Sequence, residues 1–382
     1  MRRTLLLLLF SVVSIASIAQ NLVDAKFGKG IKFQPADSSF SVKFSARFQS
    51  LYVGEVNLDT DNYSDNFLIR RSRLKFDGYA HTPRLKYKLE LAVSNRDNGR
   101  VTPESNLAAN IVLDAVVKYN FLNNWEVWFG QTKLPGNRER VISSQKLQFV
   151  DRSQVNSRFN IDRGMGVQLH NKHKLGGTII KEQFAVSFGE GRNRTADNIG
   201  GYEYTARMEV LPFGEFTNKG DYFGSDLERE PSPKLSIGAT YDQNNNTTRV
   251  SGFRGDYLSE SKDQKVVFVD GMFKYDGFST MFEYARKWTD GSPVVADGSY
   301  YTGNGLNVQC GYLFKNNFEI AGRYTSINPE DVTNRTDFIE YTLGVSKYIV
   351  GHSLKVQSDV TYKDNDIGSN ALIYRFQVEL AL

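Results

Sequence analysis

Apolar and polar residues alternate in steps of two from about residue 39 to the end of the chain. "FSVKFSARFQSLY" sets Phe40, Val42, Phe44, Ala46, Phe48 and Tyr52 against Lys43, Ser45, Arg47 and Gln49. "ALIYRFQVELAL" sets Tyr374, Phe376, Val378, Leu380 and Leu382 against Arg375, Gln377 and Glu379. A β-strand sends successive side chains to opposite faces, so this period belongs to strands with one oily and one polar face. Sixteen such segments are expected, at 39–54, 66–80, 84–95, 108–120, 124–132, 162–171, 177–189, 200–211, 233–242, 265–276, 278–288, 302–314, 317–325, 337–350, 352–363 and 371–382. Each is about ten residues or longer, the length a tilted strand needs to cross a bilayer. Past residue 19 no long apolar run remains, which excludes a membrane protein built from helices.

The connections carry a second pattern. After the second, fourth, tenth, twelfth and fourteenth segments they are tight: "HTPR", "FLNN", "YDGF", "FKNN" and "VGHS". After odd-numbered segments they are longer, and the longest is 133–161. Short turns on one rim and long loops on the other are the habit of outer-membrane barrels. The stretch 212–232 breaks this parity, being long where a short turn is due. A soluble all-β protein would also alternate, but with shorter strands and a polar outer face. Here Tyr, Phe and Trp recur near segment ends, as a girdle at the membrane interface would. The fold expected is therefore all-β: a transmembrane antiparallel β-barrel of 16 strands over 39–382.

The N-terminus sets the compartment. Met1-Arg2-Arg3 precedes the apolar run "LLLLLFSVVSIASIA", and Ser17-Ile18-Ala19 supplies small residues for cleavage after Ala19. Residues 1–19 read as a secretory signal peptide and 20–38 as a short periplasmic segment. Lys and Arg total 47 against 43 Asp and Glu, so the overall charge says little about partners and only its local placement does. No H-E-x-x-H, G-x-S-x-G or phosphate-loop motif is present, and the 4 His lie on turns or on segments that do not converge. No enzyme activity, cofactor, metal or nucleic-acid partner is expected.

The polar faces are not charged evenly. "FLIRRSRLKFDGYA", Phe67 to Ala80, sets Leu68, Leu74, Phe76 and Ala80 against Arg71, Arg73, Lys75 and Asp77. The first three segments send Lys43, Arg47, Arg71, Arg73, Lys75, Lys86 and Lys88 inward against Asp77 and Glu90. Unpaired cations on a low-dielectric wall focus their potential into a channel and concentrate anions there. Later segments mix signs, as in Asp114 with Lys118 and Glu209 with Arg207, and these pairs read as bracing of the wall. The segment 133–161 carries Arg138, Arg140, Lys146, Arg152 and Arg158, with hydroxyls at Ser143 and Ser144. Its Leu134, Val141, Ile142, Leu147, Phe149 and Val150 favour packing inside the barrel, where it would narrow the pore.

Taken together, "FLIRRSRLKFDGYA", "WFGQTKLP", "RVISSQKLQFVDRS" and "DRGMGVQL" resemble the phosphate-selective porin O and P family. That resemblance implies a passive channel for small anions, phosphate foremost, surrounded by the lipid of a Gram-negative outer membrane. It also implies a homotrimer whose third external loop enters the pore. Its anion site would carry over to Arg47, Arg70, Arg71 and Asp114 on the wall, with Arg140 and Ser143 from the loop; Arg73 and Lys75 join from their shared face. Strict alternation puts Arg70 and Arg71 on opposite faces, so both reach the pore only through a bulge or a frayed strand end. A general porin, an enzyme housed in a barrel, and an adhesin or structural barrel remain as other readings. The chain ends at Leu382, where outer-membrane strands commonly end in an aromatic residue.

Overall fold

The computed structural model describes residues 22–94, 97, 110–194 and 201–382; the expected signal peptide lies outside the described residues. Sixteen of the described strands form the barrel: β1 Phe40–Asn57, β2 Tyr63–Ala80, β3 Thr82–Ala92, β4 Val112–Leu122, β5 Trp125–Lys133, β6 Arg163–Leu175, β7 Thr178–Ser187, β8 Glu203–Leu211, β9 Lys234–Arg249, β10 Tyr257–Tyr275, β11 Phe278–Thr289, β12 Gly303–Leu313, β13 Phe318–Pro329, β14 Phe338–Val350, β15 Leu354–Asn365 and β16 Ala371–Ala381. Each pairs antiparallel with its neighbours, and β16 closes on β1 from Ala371 opposite Asn57 to Ala381 opposite Arg47. Every expected segment coincides with a strand.

The burial pattern is inverted relative to a soluble sheet. In β8, Glu203, Thr205, Arg207 and Glu209 are buried while Tyr204 and Met208 are 40% and 52% exposed. A soluble sheet does the reverse. Polar side chains inward and aromatic or aliphatic ones outward suit a wall with lipid around it.

Two hairpins depart from the expected bounds. The pairing of β9 with β10 continues to Arg249 opposite Tyr257, through register shifts around Thr247. The added residues, such as "NNNTT" and "SESKDQ", are polar on both faces. Alternation in residue type fades there while the strands continue, because the outer face beyond the bilayer meets water and is polar, as the buried inner face with Asn244 and Thr247 also is. The segment 20–38 contains a hairpin, Leu22–Lys26 with Gly30–Phe33. Ile31 and Phe33 pair with Phe44 and Val42 of β1, on the edge that β16 leaves bare below Arg47. An unpaired edge is a hazard in any sheet, and this hairpin covers it.

Residues 134–162 lie against the inner wall. The segment contains two short helices, α1 Arg138–Val141 and α2 Gln154–Phe159. Arg138 donates to Asp270 of β10 at 2.7 Å, Asn137 to Glu283 of β11 at 2.7 Å, and Gln148 to Glu319 of β13 at 2.8 Å. The Val150 N–H reaches Asp359 of β15 at 3.0 Å, and Arg47 of β1 reaches Ser144 at 2.8 Å. A segment touching the polar faces of β1, β10, β11, β13 and β15 lies within the lumen. In the strand before it, Gly130 of β5 has a φ of +128°, and a Cβ there would stand 2.2 Å from the Ala115 carbonyl oxygen of β4. Only glycine fits that approach.

Candidate functional site

The Arg70–Arg71 conflict is resolved by a bulge. Gln49 of β1 lies opposite Arg71, while the next residue, Ser50, lies opposite Ile69, so Arg70 is the extra residue of β2. A bulge lets two neighbouring side chains lean the same way. Both guanidinium groups meet Asp151 of the inner segment. Arg70 donates through Nε and Nη2 at 3.1 and 3.0 Å, and Arg71 through Nη2 at 3.0 Å. Arg71 also donates to Gln49 at 2.8 Å. The same bulge reverses the parity upstream: Phe67 and Ile69 face outward, 75% and 59% exposed, and Leu68 pairs with buried Leu51. Leu68 therefore does not share the oily face expected for it, because the extra residue shifts the period by one.

The remaining strand cations meet carboxylates drawn from distant parts of the chain. Arg73 donates to Asp97 at 2.5 and 2.9 Å and to Glu90 at 3.1 Å. Arg47 reaches Glu379 of β16 at 3.2 Å, and Lys75 stays with Asp77 at 2.9 Å. Asp114 is a hub: it accepts from Lys88 at 2.7 Å, Thr132 at 3.0 Å and Arg163 at 3.1 Å. The surplus counted along β1 to β3 is thus partly met by Asp97, Asp151 and Glu379. Nor do the seven cations of these polar faces converge on one point. Arg73 is opposite Arg47, but Lys43 and Lys88 flank Asp77, and Lys86 is opposite Tyr79.

The two loop residues divide. Ser143 caps the one-turn helix Ser144–Lys146, its hydroxyl accepting from the Gln145 N–H. Arg140 pairs with Asp162, yet its Nε is buried with no partner among the described residues. Burial, followed by the nearby Arg152, Arg163, Arg254 and Arg73, holds the Arg140 guanidinium well below its ordinary pKa. An anion would relieve that crowding. Beneath it, the Lys133 ammonium donates to the carbonyl oxygens of Arg140, Val141 and Ile142 at 2.7, 3.2 and 3.2 Å and so fixes where α1 ends.

A cavity of about 970 Å³ runs along the wall from β3 to β8, the side that the inner segment leaves open. Among the described residues, ten lysines and arginines and six carboxylates line it, an excess of positive charge. Arg73, Asp114 and Ser143 reach this lining; Arg47, Arg70, Arg71, Lys75 and Arg140 do not belong to it. Lys118 and Arg207, whose alternating signs with Asp114 and Glu209 suggest bracing, line the cavity, as does Lys181, which no sequence pattern marks out. At the rim of short turns Lys146 lies 3.6 Å from the ring centre of Phe223. Burial and the surrounding Lys75, Lys219, Lys29 and Lys43 lower its pKa to about 8. His170 lies on β6, not at a turn, and stacks on Trp128 at 3.9 Å.

Comparison with known proteins agrees with this architecture. The trimer form of OmpT from Vibrio cholerae superposes with a TM-score of 0.56 at 11% identity, covering 90% of this chain and all of that one. An anion-selective porin from Comamonas acidovorans gives 0.55 at 11% identity, again over 90% of this chain and all of that one. The outer membrane channel DcaP of Acinetobacter baumannii gives 0.54 at 15%, over 92% of this chain and 99% of that one. An uncharacterized protein of Aquifex aeolicus is 26% identical over 278 residues, which span 66% of this chain and 62% of that relative. The family model described as phosphate-selective porin O and P matches residues 42–371, most of the chain, and the chain belongs to that family of outer-membrane barrels.

Proposed function

We propose that the chain is a passive channel for small anions, with phosphate as the preferred solute, and not an enzyme. The observation that carries this reading is the excess of cations over carboxylates along the 970 Å³ cavity. In a low-dielectric wall that excess raises the local anion concentration and repels cations. The segment 134–162 acts as the constriction, and Arg140 with Arg152, Arg163 and Arg73 forms its cationic level. Guanidinium groups suit phosphate because their fork matches two of its oxygens. Arg47, Arg70, Arg71 and Lys75 act behind this level, steering anions through their field while holding the wall.

The test is competition in a planar bilayer. Phosphate added to a chloride-filled channel should lower the chloride current along a saturating curve. Currents that simply add, with no block, would point to a general porin instead. The mature chain starts at Gln20 on this account, which N-terminal sequencing of the membrane-extracted protein checks. We infer a homotrimer as well, by analogy with the trimer form of OmpT on which the barrel superposes. The mass of the unheated, detergent-extracted protein tests it, and a monomer would overturn it.

A further inference from the structure

The connection 212–232, long where a short turn is due, also enters the lumen, from the opposite rim to the segment 134–162. Three carbonyl oxygens of the insert, those of Gly220, Phe223 and Ser225, accept from the buried Lys274 ammonium of β10 at 2.8, 2.9 and 2.7 Å. The Gly224 N–H donates to the Lys146 carbonyl oxygen at 2.8 Å, and Arg138 donates to that of Asp221 at 3.1 Å. A Cβ on Gly224 would stand 2.6 Å from the Gln148 nitrogen, so the two inner segments are in close backbone contact. Phe216 completes an apolar cluster with Ile142, Leu147, Leu211, Met272 and Met281. The insert is therefore wedged under the other segment and bonded to it.

Its free face turns to the cavity, which Glu215, Asn218, Lys219, Asp221 and Tyr222 help to line. At this level Lys181 is neutralised by Asp221 at 2.5 Å and Glu209 at 3.3 Å. Lys219 is exposed and forms no ion pair among the described residues. Asn218 and Lys219 both hold left-handed backbone, with φ of 51° and 60°. Two successive non-glycine residues in that region are strained, and such strain persists only where the surroundings impose it.

We infer that the 212–232 insert is a second, periplasmic filter of the channel, in which Lys219 sets anion preference at the exit, Tyr222 limits solute size, and Lys274 is the positioning residue. This rests on the channel reading above and adds a second place where solutes are sorted. The lumen then has two storeys: the segment 134–162 sorts from the outer side and the insert from the inner side.

The test uses the full chain with Cys310, its single cysteine, on the outer face of the barrel replaced by Ser. Lys219→Cys is added and treated from the periplasmic side with a sulfonate-bearing thiol reagent during single-channel recording. Loss of the ammonium and gain of the sulfonate should each lower the anion-over-cation permeability ratio about fourfold, given one unit charge roughly 10 Å from the ion path. Conductance should fall stepwise as each channel is labelled. Lys274→Met should raise conductance and admit larger anions while the barrel stays resistant to denaturation. If labelling is complete and neither conductance nor selectivity moves, the insert is not a filter, although an anion-selective parent channel would still stand. If the parent is not anion-selective, the channel reading fails, and a conductance drop on labelling with a bulky neutral reagent would still place the insert in the route.

Discussion

Asp151→Asn separates a working anion wall from a braced one. The carboxylate holds Arg70 and Arg71 together through bonds of 3.0 to 3.2 Å. Burial opposes its charge, but Arg70, Arg71 and Arg375 hold its carboxyl far below the usual range, so it is ionised at any working pH. Replacing it by the neutral amide leaves the two guanidinium groups one negative charge short. Breaking a fully buried pair costs about 3–5 kcal/mol; Asp151 is 26% exposed, so a smaller loss of about 2–3 kcal/mol is expected. The effect on ions follows from Coulomb's law. One unit charge roughly 7 Å from the path, in water-like dielectric, contributes about 0.6 kcal/mol, or roughly threefold for an anion and the inverse for a cation. The permeability ratio should therefore rise roughly sevenfold, read as a shift of the zero-current potential toward the anion equilibrium value. Phosphate should also restore the lost thermal stability, because it binds the folded barrel where the carboxylate was. If stability falls, phosphate fails to rescue it and the potential does not move, the arginine pair is only a brace.

Other outcomes follow from the same geometry. Lys146, with its pKa lowered to about 8, carries its charge below that pH and loses it above; anion preference should decline between pH 7 and 9, and Lys146→Met should remove that step. His352, at the turn after β14, is held well below the usual histidine range by burial and then by Lys355, Lys146 and Lys274. Its unfolded form takes up a proton first, so stability is lost as pH falls below about 6.5, by up to about 1.4 kcal/mol per unit, and His352→Phe should flatten that limb of a melting-temperature profile. Arg138→Met leaves Asp270 to Arg207 alone and frees the Asp221 carbonyl oxygen; a loss of about 1.5–3 kcal/mol in unfolding free energy from denaturant titration, with noisier and larger open-channel currents, is expected.

Much of the fold was legible because a membrane barrel writes its two media into every second residue. The strands of β1, β15 and β16 could be read almost to their ends for that reason. The upper parts of β9 and β10 could not, since both faces there are polar and the period in residue type vanishes. The site was legible as residue types but not as partners. Alternation named Arg71 and Arg73 correctly as facing inward; it also put Glu379 on a polar face without naming its partner, whereas Asp97 and Asp151 lie outside the alternating segments and no local period points to them. The bulge at Arg70 was foreseeable only as a conflict: two adjacent arginines cannot both face one side of a regular strand. Asp151, within "FVDRS", is the signal that resolves it, and it became readable once the loop was known to lie beside β2. The insert 212–232 was visible by its length alone. Its place inside depends on Lys274, a lysine in an otherwise ordinary strand.

The most direct measurement is the zero-current potential of the wild-type protein reconstituted in a planar bilayer with a salt gradient across it. An excess of cations along the cavity predicts stepwise channels whose potential lies toward the anion equilibrium value and moves further that way as salt is lowered, because screening weakens. A potential on the cation side, or one that ignores ionic strength, would contradict the account.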